Sequence, residues 1–473
     1  MNSALRKAQA KKKKFLKRKK EIIEEDDSDQ SITSDDEEEV SENMVGKLIQ
    51  DKYLILKYLS RGSFSKVWLV LDIKDGNYYA LKIQDSEYNE DMEQEVKIYN
   101  YLQRKLGNYE NVNQTHPIGF LIDSFVIKVG QEKCQCMLME LLGLSVFSLT
   151  ECQSNPQYQT SRIRKVIHDI VSALDYYHNL GIIHTDLKPD NILLTEYDEN
   201  IKEYLEKINQ LGMTQVFEEV FQNYIPKEIS MLDKNKRKMV KRKIRIKAMK
   251  EISKRFYPQI LEINQNDFHQ NVDLKIEELD VNLDIDSDDN ISENTTLDID
   301  WEGLRVKLID FGNAEFVGNN NQENIYIRPY RPPENIIDDE VTTKSDIWFV
   351  GCFLYELLTG EILFDIESVD NQKFEKDRLH LLEMYSLLGK MPREMTMNCE
   401  YSEDLFDIKG RILKHKGFEE RNLREEISSS MEISEDELDL IEDLIFKILE
   451  YDPKQRLSAK KILEHKWFKY KYD

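Results

Sequence analysis

An α+β chain of two unequal lobes, strands first and helices afterwards, is predicted by three observations. From Tyr53 to Leu142 the apolar residues fall mostly in short alternating or continuous runs punctuated by Gly62 and Asp75-Gly76. From Ile163 onward apolar residues recur mainly at helical spacing. Two charge-split segments, 1–44 and 195–304, carry too little apolar surface to join either lobe.

The 473 residues hold 66 Lys+Arg against 90 Asp+Glu, a net charge of −24, which argues against a generic nucleic-acid binder. No stretch approaches the ~20 apolar residues of a membrane helix. The lysine-rich start, Met1 to Lys20, lacks the apolar stretch of a secretory signal, so a soluble intracellular protein is expected. Cys134, Cys136, Cys152, Cys352 and Cys399 form an odd set without paired CxxC spacing, and neither a disulfide framework nor a tetrahedral zinc site is suggested.

Residues 1–44 place ten Lys/Arg between Arg6 and Lys20, then twelve Asp/Glu between Glu21 and Glu42, the pattern of a disordered tail. Its basic half suits nuclear import or polyanion binding, or a tail that neutralises its own acidic half; Ser28, Ser31 and Ser34 are candidate phosphoacceptors. The first lobe, 45–142, is expected to hold an antiparallel meander over Tyr53 to Leu59, Val67 to Ile73 and Tyr79 to Ile83, then a helix over Met92 to Leu102, then further strands. The first part of the second lobe, 143–194, contains Ile163, Val166, Ile167, Ile170, Val171 and Leu174 at helical spacing. The insert, 195–304, repeats the charge split: twelve Lys/Arg in 233–255, twelve acids in 273–302. Its basic part is expected to become helical on binding and its acidic part to be disordered, outside the core. Segment 305–473 opens with a strand at Val306 to Ile309 and continues with helices, including Leu438, Ile441, Leu444, Ile445, Ile448 and Leu449.

The chemistry-bearing residues lie between these elements. Leu59-Ser60-Arg61-Gly62-Ser63-Phe64-Ser65-Lys66-Val67 looks like a phosphate lid that keeps one glycine of GxGxxG; an ordinary hairpin turn reads the same way. Lys82 follows on the next strand, where an ammonium suits two phosphate oxygens. Stronger is Ile183-His184-Thr185-Asp186-Leu187-Lys188-Pro189-Asp190-Asn191, followed after the insert by Lys307-Leu308-Ile309-Asp310-Phe311-Gly312. At this spacing Asp186 can accept or orient a hydroxyl proton, Lys188 can offset charge on a transferred phosphoryl group, and Asn191 and Asp310 offer the oxygen ligands that suit Mg2+.

These motifs closely resemble the catalytic and metal-binding loops of protein kinases, and the match spans about residues 50 to 470. The resemblance implies a bilobal protein kinase fold with a small β-rich N-lobe, a larger helical C-lobe and a long disordered spacer, using ATP and Mg2+. It also implies a Lys82–Glu95 ion pair, a gatekeeper at Met139, a hinge at Glu140-Leu141-Leu142, and apolar walls from Val67, Ala80 and Leu193 around the adenine, with Leu59 and Gly62 in the lid. Arg331-Pro332-Pro333-Glu334 matches the end of an activation segment, Asp346-Ile347-Trp348 the helix bracing the catalytic loop, and Arg456 the buried partner of Glu334.

His184-Thr185-Asp186 in place of His-Arg-Asp, Gly312-Asn313-Ala314 and the insert's position are similar to the SR-protein kinases, within the larger group of cyclin-dependent, MAP, CLK and DYRK kinases. That likeness implies a serine/threonine kinase acting on basic, arginine/serine-rich proteins, a monomer partitioned between cytoplasm and nucleus, with a protein partner for the spacer and no membrane association. Alternatives are a CLK- or DYRK-like acceptor preference and a pseudokinase scaffold; direct RNA binding by Lys234 to Arg255 is compatible with any of these. Thr185 removes the arginine that grips a phosphorylated activation loop, so constitutive activity is expected. Three features depart from the family pattern: the missing first glycine of the lid, Ile327 where a hydroxyl is usual, and Leu379 and Ser386 where SR-protein kinases carry acidic docking residues. Glu375, Asp377 and Glu383 lie close enough in sequence to substitute.

Overall fold

A computed structural model describes residues 44–62, 64–106, 118–147, 160–271, 303–318, 326–337, 339–366, 373–413 and 420–470; of 266–271 and of Lys373 it describes the backbone alone. Residues 1–43 of the expected tail and Cys152 lie outside these residues, as does the acidic part of the insert, 273–302; Met44, assigned to the tail, is instead buried in the N-lobe core. Among the described residues no helix is long and apolar enough to cross a membrane.

The N-lobe is one six-stranded antiparallel sheet in the order β1-β2-β3-β4-β6-β5, with β1 Leu48–Ile49, β2 Tyr53–Gly62, β3 Ser65–Asp72, β4 Asn77–Gln84, β5 Leu121–Val129 and β6 Glu132–Glu140. Gly76, at φ 73°, closes the β3–β4 turn in the left-handed region that glycine adopts without strain. Between β4 and β5 runs α1, Asn89–Leu106, whose Ile98, Tyr99 and Leu102 are buried. The meander and helix expected from the sequence are both present.

The C-lobe is built around α2, Thr160–His178, and α6, Thr343–Thr359, which is buried over nearly its whole length. A capping box between Thr342 and Ser345 starts α6 and Gly360, at φ 83°, ends it. Helices α7 Lys373–Leu388, α8 Leu423–Ser430 and α9 Glu435–Ile448 are the longer of the remaining C-lobe helices, α9 carrying the predicted apolar series. Two small antiparallel sheets face the N-lobe: β7 Ile182–Ile183 with β10 Glu315–Phe316, and β8 Ile192–Leu194 with β9 Val306–Leu308.

The insert corrects the sequence expectation. Residues 199–271 are not a disordered spacer, and the basic part needs no partner to become helical: α3 Glu199–Gln210, α4 Met213–Tyr224 and α5 Lys234–Asn271 are formed and dock on the N-lobe. Tyr204, Ile208, Phe217, Met249, Ile252, Phe256 and Ile260 are buried in one cluster with Leu54, Leu56, Trp68 and Leu69 of the sheet. At about 1.5–3 kcal/mol for each large apolar side chain removed from water, these contacts outweigh the helix's charge density. Hydrogen bonds fix the seating: the Tyr204 hydroxyl donates to Leu56 O at 3.1 Å, Asn264 Nδ2 to the same carbonyl at 2.8 Å, and the Tyr78 hydroxyl to Asn209 Oδ1 at 2.7 Å. The signal was present as Met249, Ile252, Phe256 and Ile260 at three- and four-residue spacing, downstream of the lysine run that dominates the composition.

Candidate active site

The two small sheets hold the chemistry-bearing loops at both ends. Residues 184–191 join β7 to β8, residues 309–314 join β9 to β10, and each strand of one loop pairs with a strand of the other. Short bonds then register loop on loop. Ile309 N donates to Asn191 O at 2.9 Å, His184 Nε2 lies 3.1 Å from Ile309 O, and the Thr185 hydroxyl donates to Asn313 O at 2.7 Å. Beneath them the Asp346 carboxylate, fully buried in α6, accepts from His184 N at 2.8 Å, Thr185 N at 3.1 Å and the Tyr326 hydroxyl at 3.0 Å, and meets His178 Nε2 at 2.9 Å. Burial alone would raise its pKa; the His178 hydrogen bond and the surrounding donors hold it below the usual carboxylate value.

This scaffold fixes two strained residues, Thr185 at φ 69° and Asp310 at φ 64°. Asp186 is nearly buried, with Lys188 Nζ at 3.5 Å and Asn313 Nδ2 at 3.4 Å from its Oδ2. Asn191 Nδ2 donates to Asp186 O at 2.9 Å, which leaves Asn191 Oδ1 as the amide's acceptor. Phe311 is fully buried against Tyr99, Tyr177 and His184, and Asp310 N donates to the Tyr99 hydroxyl at 3.1 Å.

Across the cleft, Lys82 Nζ lies 2.9 Å from Glu95 Oε2 and 3.0 Å from Asp310 Oδ1, so β4, α1 and the loop after β9 converge on one ammonium. Burial would depress Lys82; the two carboxylates raise it instead. Burial pushes Glu95 up to about 7 against the pull of Lys82, while Asp310, though desolvated, is held down at about 2 by Lys82. A permanently ionised Asp310 and the acceptor oxygen of Asn191 on adjoining loops match the hard-oxygen chemistry of Mg2+.

In the sheet register Val67 pairs with Lys82, and Ala80 with Met139, so two-residue alternation puts all four on the face that carries the Lys82 ammonium. Val67, Ala80, Leu142 and Leu193 are half-buried, leaving apolar surface along the cleft; Leu59 and Ala80 also touch the N-lobe core. The lid is the β2–β3 hairpin, ending on the Gly62–Ser65 pair; Ser63 lies outside the described residues. Its tip is tethered where glycines are missing: the Phe64 ring stacks on Tyr88 at 4.0 Å between centroids, and Asp85 N donates to Phe64 O.

Three side chains were not singled out for the parts they play here. Lys307, buried in β9, donates to both oxygens of Glu140, at 2.8 and 2.7 Å, and fixes the hinge. Tyr99 holds the Asp310 amide, and Asn313 reaches Asp186. Each looks in sequence like an ordinary strand, helix or loop residue, because its partner is far away along the chain. The expected Glu334–Arg456 pair is present, at 2.8 Å and with both side chains fully buried. Of the acidic substitutes near Leu379, Asp377 is buried and paired with Arg328 at 2.6 Å and Glu375 pairs with Arg378, so neither is a free docking carboxylate; Glu383 remains half-exposed beside Arg421. Ile327 packs against the C-lobe core.

Comparison with known sequences matches the model of the protein kinase domain to residues 53–224 and 287–468, interrupted within the insert. The chain is 27% identical over 427 residues to the serine/threonine-protein kinase SRPK of Physarum polycephalum, covering 89% of this chain and 87% of that protein. It is 24% identical over 450 residues to protein kinase dsk1 of Schizosaccharomyces pombe, covering 88% and 80% respectively. With SRSF protein kinase 3 of Homo sapiens the identity is 23% over 503 residues, 89% of this chain and 87% of that one.

Proposed function

This chain belongs to the protein kinase family, as an SRPK-like, ATP- and Mg2+-dependent serine/threonine kinase, and we propose that its acceptors are serines of basic, arginine/serine-rich proteins. The observation that carries the reading is the meeting of Asp186, Asn191 and Asp310 on two loops bonded to each other, opposite a Lys82 already paired with Glu95.

In the proposed mechanism Asp186 accepts the hydroxyl proton as the serine oxygen bonds to the terminal phosphorus and the bond from that phosphorus to the beta–gamma bridging oxygen breaks, releasing ADP, while Lys188, beside Asp186, stabilises the transferred phosphoryl group. Lys82, aimed by Glu95, neutralises the alpha and beta phosphates, and the lid around Gly62 excludes water over them. Asn191 and Asp310 would hold magnesium, which would supply charge neutralisation on the phosphate oxygens. The hinge backbone at Glu140 to Leu142, locked by Lys307, meets adenine, and Val67, Ala80 and Leu193 sandwich the ring.

The described parts of the loop from Asp310 to Glu334, residues 310–318 and 326–334, are held by contacts that need no phosphate. Thr185 ties Asn313, the Tyr326 hydroxyl reaches Asp346, Arg331 donates twice to Tyr326 O, and the Tyr330 hydroxyl donates to Glu356. This supports constitutive activity. A net charge of −24 favours basic substrates by long-range attraction, screened beyond ~8 Å at physiological salt. We place the protein in both cytoplasm and nucleus as a monomer, with its basic insert helix as the surface offered to a regulatory partner.

The substrate reading is tested by transfer of labelled phosphate from Mg-ATP to an arginine-serine repeat protein and to a basic protein with isolated serines. Preferential labelling of the repeat, abolished by Asp186→Ala, supports it. Equal labelling of both leaves the kinase and removes the repeat specificity; proline-directed or tyrosine labelling points to a CLK- or DYRK-like preference.

A further inference from the structure

The N-terminal half of α5 is a dense basic surface, and most of its charge is not neutralised by ion pairs among the described residues. All twelve Lys/Arg of 233–255 are exposed, whereas burial along the helix begins only at Ala248. Lys243, Lys247, Lys250 and Lys254, spaced four, three and four residues apart, form a stripe opposite the face made by Met249, Ile252 and Phe256. The acids of this stretch are already committed. Glu251 accepts from the Tyr224 hydroxyl, and Asp233 caps the helix start and pairs with Lys236. Lys238, Lys241, Arg242, Lys243, Arg245, Lys250 and Lys254 have no ion-pair partner among the described residues. So much unneutralised like charge on one helix disfavours it unless an anion lies along it.

The chain also carries an acidic stretch immediately before residues that are seated on α5. Met44 and Val45 are buried in the cluster that seats α5, the Ser253 hydroxyl donates to Gly46 O, and the Gly46 backbone lies so close to the Tyr257 ring that a Cβ there would stand 2.2 Å from it. The first described residues are thus pinned to α5 beside Lys250 and Lys254, and the residues just before them are Asp35-Asp36-Glu37-Glu38-Glu39 and Glu42, the end of a segment with twelve acids between Glu21 and Glu42. From Ser253 back to Lys234 the helix runs about 28 Å at ~1.5 Å per residue, and nine extended residues span about 30 Å.

We propose that the acidic segment 21–42 docks along the basic face of α5, so that the chain covers its own polycation. Tethered beside its site, the segment acts at an effective concentration on the order of millimolar, which an external polyanion must exceed. Phosphorylation of Ser28, Ser31 or Ser34 strengthens the clasp by adding charge.

The test uses the full chain. Carbodiimide, which joins only touching carboxylates and amines, is expected to link acids of 21–42 to Lys243, Lys247, Lys250 or Lys254 within one molecule, and the links are expected to disappear in about 1 M salt, where screening acts within ~3 Å. Links from the acids of 273–302 to these lysines instead, or none, overturn the proposal. In parallel, a short fluorescent RNA serves as a competing polyanion. The variant Asp35→Asn, Asp36→Asn, Glu37→Gln, Glu38→Gln, Glu39→Gln is expected to bind it at least about tenfold more tightly than wild type at low salt. That gain is expected to vanish when the four stripe lysines are also changed to Gln. Equal RNA affinity of wild type and the tail variant overturns the proposal.

Discussion

The catalytic floor and the helical cap on the N-lobe are held by opposite kinds of force. The floor is polar: one buried carboxylate, Asp346, organises His184, Thr185, His178 and Tyr326, and a second, Glu334, is matched bidentately by Arg456. The cap is apolar at its seat and charged only outside, with Ile252, Phe256 and Tyr204 against the sheet. A buried polar network tolerates neither a missing partner nor a small displacement, so it fixes geometry. Apolar contact is non-directional and fixes stability more than position. Changes in the floor should therefore be read in catalysis, and in stability where a buried charge is left unpaired, whereas changes in the cap should be read in melting temperature alone.

The largest expected effect is at Asp186. Asp186→Ala should lower kcat at least about 10³-fold while ATP binding persists, measured by phosphotransfer and by nucleotide titration; retained turnover would remove Asp186 as the base. Next is Glu334→Ala, which leaves the fully buried Arg456 guanidinium without its carboxylate and should cost about 3–5 kcal/mol in thermal or denaturant unfolding. On the cap, Ile252→Ala should cost about 2–5 kcal/mol of stability yet leave kcat nearly unchanged below the melting point. A catalytic loss as large as the stability loss would break the division between the two regions.

Smaller, and sharper, is the pH dependence at the cleft. Burial raises Glu95 to about 7, so its carboxylate is present above that pH and lost as pH falls through it; Lys82 then keeps Asp310 but loses the partner that aims it. The kcat/KM for ATP should fall severalfold between about pH 8 and 6, and Glu95→Gln should flatten that limb of the profile. An unchanged decline in the Gln variant would assign the titration elsewhere.

The same division explains what was legible in the sequence. The strand and helix periods of the lobes could be read from residue spacing, and the two loop motifs from the chemistry their residues share, whereas the Lys82–Glu95 and Glu334–Arg456 pairs, the latter 122 positions apart, could be expected only from the resemblance to protein kinases. The cap could not be read as a folded part, because twelve Lys/Arg in 233–255 lower the mean hydropathy that marks a core helix, while its anchors sit at the helix's other end. The Lys307–Glu140 lock and the Tyr99 and Asn313 contacts were equally hidden, since each joins residues more than 120 positions apart. Asp377 misled in the other direction: an acid at a suitable position is silent about the Arg328 that consumes it.

The central claim is that the floor assembles the cleft by its own bonds, Thr185 to Asn313 and Tyr326 to Asp346, without a phosphorylated loop. The direct measurement is phosphotransfer by phosphatase-treated enzyme, its unmodified state verified by mass, beside the same enzyme after incubation with Mg-ATP. Equal kcat and KM before and after are predicted. An inactive dephosphorylated enzyme that regains activity on loop phosphorylation would contradict the account.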